Sequence, residues 1–182
     1  SLILNVFDIG TTSTNSNELN FASGNLKVLA GDRIFKDGKN VQQHFFFDDP
    51  DGKASFAGFV ATFKNHPKWT ILDKSTYIII KSNSGMKVEI FANKPSTEYA
   101  GQGAIKAYFL ENQRWPDVVV HRGHSYFASA AIESLTPNAE IVFLGSCGGY
   151  NNISQVLKYS PDAQIISSKQ IGTMLVNNKL CL

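Results

Sequence analysis

The sequence predicts an α/β protein: a three-layer α/β/α sandwich around a mostly parallel sheet. Two observations predict it. From Val41 onward, strand-like runs alternate with amphipathic stretches of about ten residues, the pattern of a sheet covered on both faces. Two of those runs, Asp117-Val118-Val119-Val120-His121 and Ile141-Val142-Phe143-Leu144-Gly145, are nearly all apolar. A strand buried on both faces reads this way, whereas one with a wet face alternates.

The elements follow in order. Gln43 to Asp48 is a short apolar strand, and Asp49-Pro50-Asp51-Gly52 reads as a turn. Phe56, Phe59, Val60 and Phe63 share one helical face over Ala54 to Asn65, and Pro67 closes that helix. Trp69 to Leu72 and Thr76 to Lys81 are strand-like. Asn83-Ser84-Gly85 is a hairpin turn that returns the chain as a strand over Lys87 to Ala92. Ser96 is placed to cap a second helix, with Glu98 in its first turn, running to about Leu110. Gly101 and Gly103 fall inside that helix and lack the strand-then-turn setting of a nucleotide loop. Strand 117–121, a helix from Tyr126 to Leu135, strand 140–145, a helix from Ile153 to Tyr159, strand 163–168 and a last helix complete the alternation.

At 182 residues the chain is long enough for one well-buried core. Residues 1–40 read as a lone strand, Leu2 to Ile9, followed by a Ser/Thr/Asn-rich linker, and 41–182 as the α/β domain. The first residue is Ser, and the helical pattern from Gly172 stops without a cap. The chain therefore reads as part of a longer protein with flanking domains. Net charge is +2, without a basic tract, so no nucleic-acid partner is expected. No apolar run reaches the roughly 20 residues of a membrane-spanning helix. Two cysteines make no disulfide framework.

In parallel α/β sheets, reactive groups gather at the carboxyl ends of the strands. Those ends carry Asp48 and Asp49, Asn93 and Lys94, Gly123 and His124, Gly145 to Gly149, and Ser167 to Gln170. One thiol, Cys147, and one imidazole, His124, lie there at glycine-flanked positions. A thiol with a pKa near roughly 8.5 needs an imidazole to take its proton or hold the thiolate. The amides of Cys147 and Ser125 are candidate oxyanion donors, and Gly148 and Gly149 let a substrate backbone come close. His121 competes with His124, but it continues the strand directly and is expected to pack. His44 and His66 are expected to be structural or solvated, and Cys181, in the tail, inert. His121, His124 and Cys147 offer three metal-ligating atoms and no fourth, so neither a metal nor a cofactor is expected. Asp48 and Asp49 either hold a basic substrate side chain or cap the next helix; Arg122 and Lys169 either hold an acidic one or form surface ion pairs.

A hydrophobic strand ending in Gly123-His124, then a helix, then a hydrophobic strand ending in Ser146-Cys147-Gly148, resembles the His–Cys dyad of the caspase-like cysteine peptidases. That superfamily includes caspases, legumains, clostripain, gingipains and separases. Arg122-Gly123-His124-Ser125 is most similar to the Gly-His-Gly-Ser loop of gingipains, with Ser125 where the second glycine usually stands. The interval between His124 and Cys147 is short and leaves room for one helix. The element order is similar over about residues 42–177. The resemblance implies a caspase-like fold and a cysteine endopeptidase acting on peptide or protein substrates. Cys147 would be its nucleophile and His124 its acid–base group, with selection for a charged side chain; Asp48 and Asp49 at the end of the first strand favour a basic one over an acidic one. The alternative is a peptidase-like module without activity, serving binding or regulation in a larger protein.

Overall fold

The computed structural model describes residues 31–169, 171–172 and 177–178. The strand expected over Leu2 to Ile9, the linker after it and Cys181 lie outside the described residues. So does most of the last helix, of which residues 177 and 178 are helical. Seven strands form one sheet: β1 (Lys39–Phe46), β2 (Trp69–Asp73), β3 (Tyr77–Ser82), β4 (Lys87–Asn93), β5 (Val118–Arg122), β6 (Ile141–Gly145) and β7 (Gln164–Ser167). Their spatial order is β2-β3-β4-β1-β5-β6-β7. The five strands from β4 to β7 in that order run parallel. β2, β3 and β4 form an antiparallel meander at one edge.

Helices α1 (Pro50–Phe63), α2 (Glu98–Glu111), α3 (Ala128–Glu133) and α4 (Ile153–Tyr159) cover both faces. The twofold side-chain alternation of β1 assigns them. Phe46 packs with Phe59 and Phe63 of α1. Val41 shares a core cluster with Ile105 and Phe109 of α2, while Phe45 shares one with Ala131 and Ile132 of α3 and Val156 of α4. Even-numbered β1 side chains thus face α1, and odd-numbered ones face α2, α3 and α4. This is an α/β sandwich with a mostly parallel sheet, as expected from the alternation.

Three local readings change. β1 begins at Lys39, although Asn40, Gln42 and Gln43 are polar. Its ladders with β4 and β5 hold it in the middle of the sheet, so tertiary pairing overrides the weak strand propensity of those residues. Asp49-Pro50-Asp51-Gly52 is not a separate turn but the start of α1. Asp49 is the N-cap, Pro50 occupies the first turn, and the Asp49 carboxylate accepts from Gly52 N at 2.8 Å. The residues that favour turns also favour helix starts, so composition alone does not separate the two. Ser96 is not a cap either. It lies in a 3₁₀ turn, Pro95–Thr97, and α2 begins at Glu98 with no side-chain cap bond. Glu98 instead accepts from Asp48 N.

The chain leaves β1 toward β4 on one side and returns to β5 on the other. The reversal lies between β1 and β5, and the crevice outside their carboxyl ends is where open α/β sheets bind ligands. Side chains close this end tightly. Asn93, at the end of β4, accepts from Phe46 N and donates to Phe46 O, prolonging the β1 ladder by a side chain. Gly52 lets the first turn of α1 sit on the Phe47 carbonyl, where a Cβ would collide. No helix among the described residues is long and apolar enough to cross a membrane.

Candidate active site

β5 and β6 are adjacent and parallel, with His121 opposite Leu144 and Arg122 opposite Gly145. The loops that leave them therefore emerge side by side. His124 follows β5 by two residues, and Cys147 follows β6 by two. Both line a single cleft with Asp51, Arg122, Gly123, Gly145, Ser146, Gly172 and Asn177. The cleft is shallow, with a volume of about 20 Å³, and opens to solvent.

Each loop is held by its surroundings. Gly123 has φ +156°, and a Cβ there would press on the Asp49 carboxylate and the Phe47 ring. His124 N donates to the second Asp49 oxygen at 3.3 Å. One buried carboxylate thus caps α1 and ties down the histidine loop. The His124 ring is exposed and stacks on Tyr126, centroids 5.4 Å apart at 13°. On the other strand, Gly148 takes a left-handed conformation with φ 61°, which turns the chain sharply after Cys147. Gly149 packs against Leu144, where a Cβ would stand 2.7 Å from the carbonyl oxygen. The Cys147 side chain is exposed, with Sγ 4.0 Å from the Gly172 carbonyl oxygen.

The two histidines part as their sequence positions suggested. His121 is 0% exposed and lies beside the Phe47 ring, centroids 5.1 Å apart. Its Nε2 donates to the His124 carbonyl at 3.2 Å, which braces the loop from below. Burial pushes its pKa down from 6.5 to about 4, so it stays neutral near pH 7. His44 is likewise a core residue, against Phe59 with centroids 4.9 Å apart, and burial lowers it to about 3. His66 is exposed, and its Nδ1 accepts from Lys68 N. The imidazole brought to the thiol's cleft is that of His124.

The residues expected to bind substrate divide. Arg122 lines the cleft but is 3% exposed, with its guanidinium spanning the Gly145 carbonyl, Ser55 Oγ and Asn178 Oδ1. Gly145 makes room for it, since a Cβ there would stand 2.8 Å from Arg122 Nη1. Asp49 is consumed by the two backbone amides. Asp48 is exposed, pairs with Lys53 and does not line the cleft. Lys169 lies over the Tyr150 ring at 5.0 Å, also outside the lining. Both positions follow from short-range contacts that a strand-end count does not reveal.

Asp51, Ser146, Gly172 and Asn177 line the cleft without having been singled out. Asp51 was hidden by the turn reading. Placed at the second position of a helix that starts over the β1–β5 crevice, it is aimed at the site. Gly172 and Asn177 arrive from the tail, and no local signal announces them. Among the described residues, no acceptor is bonded to the amides of Ser125 or Cys147. Of these two residues, Cys147 lines the cleft and Ser125 does not.

Comparison with protein-family models, with curated proteins and with solved structures gave no match.

Proposed function

We propose that the protein is a cysteine endopeptidase of the caspase-like type, with Cys147 as nucleophile and His124 as acid–base group. One observation carries the reading. A thiol and an imidazole, each two residues past the end of a neighbouring parallel strand, line the same cleft. Acyl transfer through a cysteine needs this pair of groups within reach of one carbonyl. The similarity of Arg122-Gly123-His124-Ser125 and Ser146-Cys147-Gly148 to the motifs of that superfamily adds support.

The chemistry runs as follows. The Cys147 thiol proton passes to His124, and the thiolate sulfur bonds to the carbonyl carbon of the scissile peptide. The negative oxygen of the tetrahedral intermediate accepts from the amides of Cys147 and Ser125, an interaction worth about 2.7–4 kcal/mol per donor in comparable sites. On collapse the C–N bond breaks, and His124 gives its proton to the departing amine. A water, deprotonated by His124, then attacks the thioester, and Cys147 leaves as the thiol. Among the described residues no hydrogen bond joins Cys147 to His124, and Cys147 Sγ lies 4.0 Å from the Gly172 carbonyl oxygen; rotation of the two side chains as substrate enters brings thiol and imidazole together.

The test is cleavage of a fluorogenic peptide library, with Cys147→Ala and His124→Ala as controls. Iodoacetamide labelling of Cys147 is measured in parallel across pH. The reading expects hydrolysis that both variants abolish, and labelling faster than that of an ordinary thiol. No hydrolysis, with labelling that follows an ordinary thiol, would sink it and leave the inactive binding module.

A further inference from the structure

We infer that Asp51 is the positioning residue for His124, a third member added to the dyad proposed above, on which this inference rests. A carboxylate oxygen of Asp51, one of Asp49 and a ring nitrogen of His124 all lie within 4.8 Å of one another. The two acids are not equivalent. Asp49 is 5% exposed, and both its oxygens are taken by backbone amides, those of Gly52 and His124. Asp51 is half-buried, lines the cleft, and makes no hydrogen bond or ion pair among the described residues. Its carboxylate is the acceptor beside the ring that has no other partner among the described residues.

The other groups around His124 leave that role to Asp51. Arg122, from β5, directs its guanidinium to Gly145, Ser55 and Asn178. His121 reaches the His124 carbonyl, not its ring. Tyr126 stacks flat on the imidazole and so leaves the ring edge open. Cys147 stands on the far loop of the same cleft. A neutral imidazole carries its proton on one nitrogen and a lone pair on the other. When the N–H is directed at Asp51, the lone pair is the group presented to Cys147, ready to accept the thiol proton. The resulting imidazolium then lies beside a negative charge. Within 4.8 Å, rotation of the Asp51 side chain closes the contact as substrate enters.

The experiment compares wild type, Asp51→Ala and Asp51→Glu in the full chain labelled with ¹⁵N, the His124 ring signals being assigned by their loss in His124→Gln. The inference expects one dominant tautomer of His124 in wild type, a mixture in Asp51→Ala, and recovery in Asp51→Glu. It also expects kcat/KM and the Cys147 alkylation rate to fall together in Asp51→Ala, by about tenfold or more. KM and the thermal midpoint should stay near wild type, and Asp51→Glu should restore much of the rate. An unchanged ring signature in Asp51→Ala overturns the inference. So does a rise in KM confined to Arg or Lys substrates with alkylation unchanged, which would make Asp51 a substrate contact. If wild type neither hydrolyses peptides nor labels rapidly, the dyad reading fails by itself, and the ring signature still decides whether Asp51 sets the state of His124.

Discussion

Removing the Asp49 carboxylate should destabilise the fold and loosen the histidine loop together. The carboxylate is 5% exposed and accepts from Gly52 N at 2.8 Å and His124 N at 3.3 Å. Asp49→Ala deletes a helix N-cap, which costs about 0.5–2 kcal/mol. It also leaves the His124 amide without its acceptor, a further loss of about 1–3 kcal/mol where water does not replace it. The longer of the two bonds is the weaker, so a total of about 2–3 kcal/mol is expected. For a chain of this length that lowers the thermal midpoint by roughly 4–12 °C. Asp49→Asn separates the two contributions. The amide oxygen can still cap Gly52, but the NH₂ then faces the His124 N–H and cannot accept from it. Asn should therefore recover the share of the stability that the cap supplies while the alkylation rate of Cys147 stays depressed. Urea unfolding and iodoacetamide kinetics on the three proteins measure both effects. An Asp49→Ala variant within about 0.5 kcal/mol of wild type would refute the cap-and-tether reasoning. So would an Asp49→Asn variant with wild-type alkylation.

Three further outcomes are expected. Stability should fall as pH drops below 6.5, because the unfolded chain protonates His44 and His121 there. The folded one resists until about 3 and about 4. The stabilisation is thus complete above pH 6.5 and lost on the way down. Each histidine contributes a slope of about 1.4 kcal/mol per pH unit, and His44→Phe should flatten the urea-unfolding profile by that amount. Two glycines of α1 should respond with opposite sign. Gly52→Ala drives a methyl into the Phe47 carbonyl and should cost at least about 1–3 kcal/mol. Gly58→Ala, with nothing within 4 Å, should gain about 0.5–1 kcal/mol by helix propensity. Gly145→Ala should displace the Arg122 guanidinium, which stands 2.8 Å from the added methyl. The proposed peptidase activity should fall further than stability does, as comparison of kcat/KM with the melting temperature will show.

Much of this protein is legible in the sequence because parallel strands buried on both faces must be apolar throughout. The runs at Val118–Val120 and Ile141–Leu144 announce β5 and β6, and glycines after each announce where the chain turns over the sheet end. The separation of His121 from His124 was legible as well. A histidine that continues a buried strand has to be neutral core, while one past the following glycine can reach solvent. Where the chain's polar and turn-forming residues serve more than one structure, the sequence alone left alternatives open. Asp49-Pro50-Asp51-Gly52 suits a turn and a helix start equally, and only the seating of α1 on the Phe47 carbonyl decided between them. That choice also set the fate of three acids. Asp49 became a buried tether, Asp51 entered the cleft and Asp48 paired with Lys53 outside it. Tertiary structure alone brought Gly172 and Asn177 against the cysteine loop and laid Arg122 across the Gly145 carbonyl. Strand burial is a property of each segment's own side chains. Which polar groups share a cleft depends on strand order and register, which pair residues far apart in the chain.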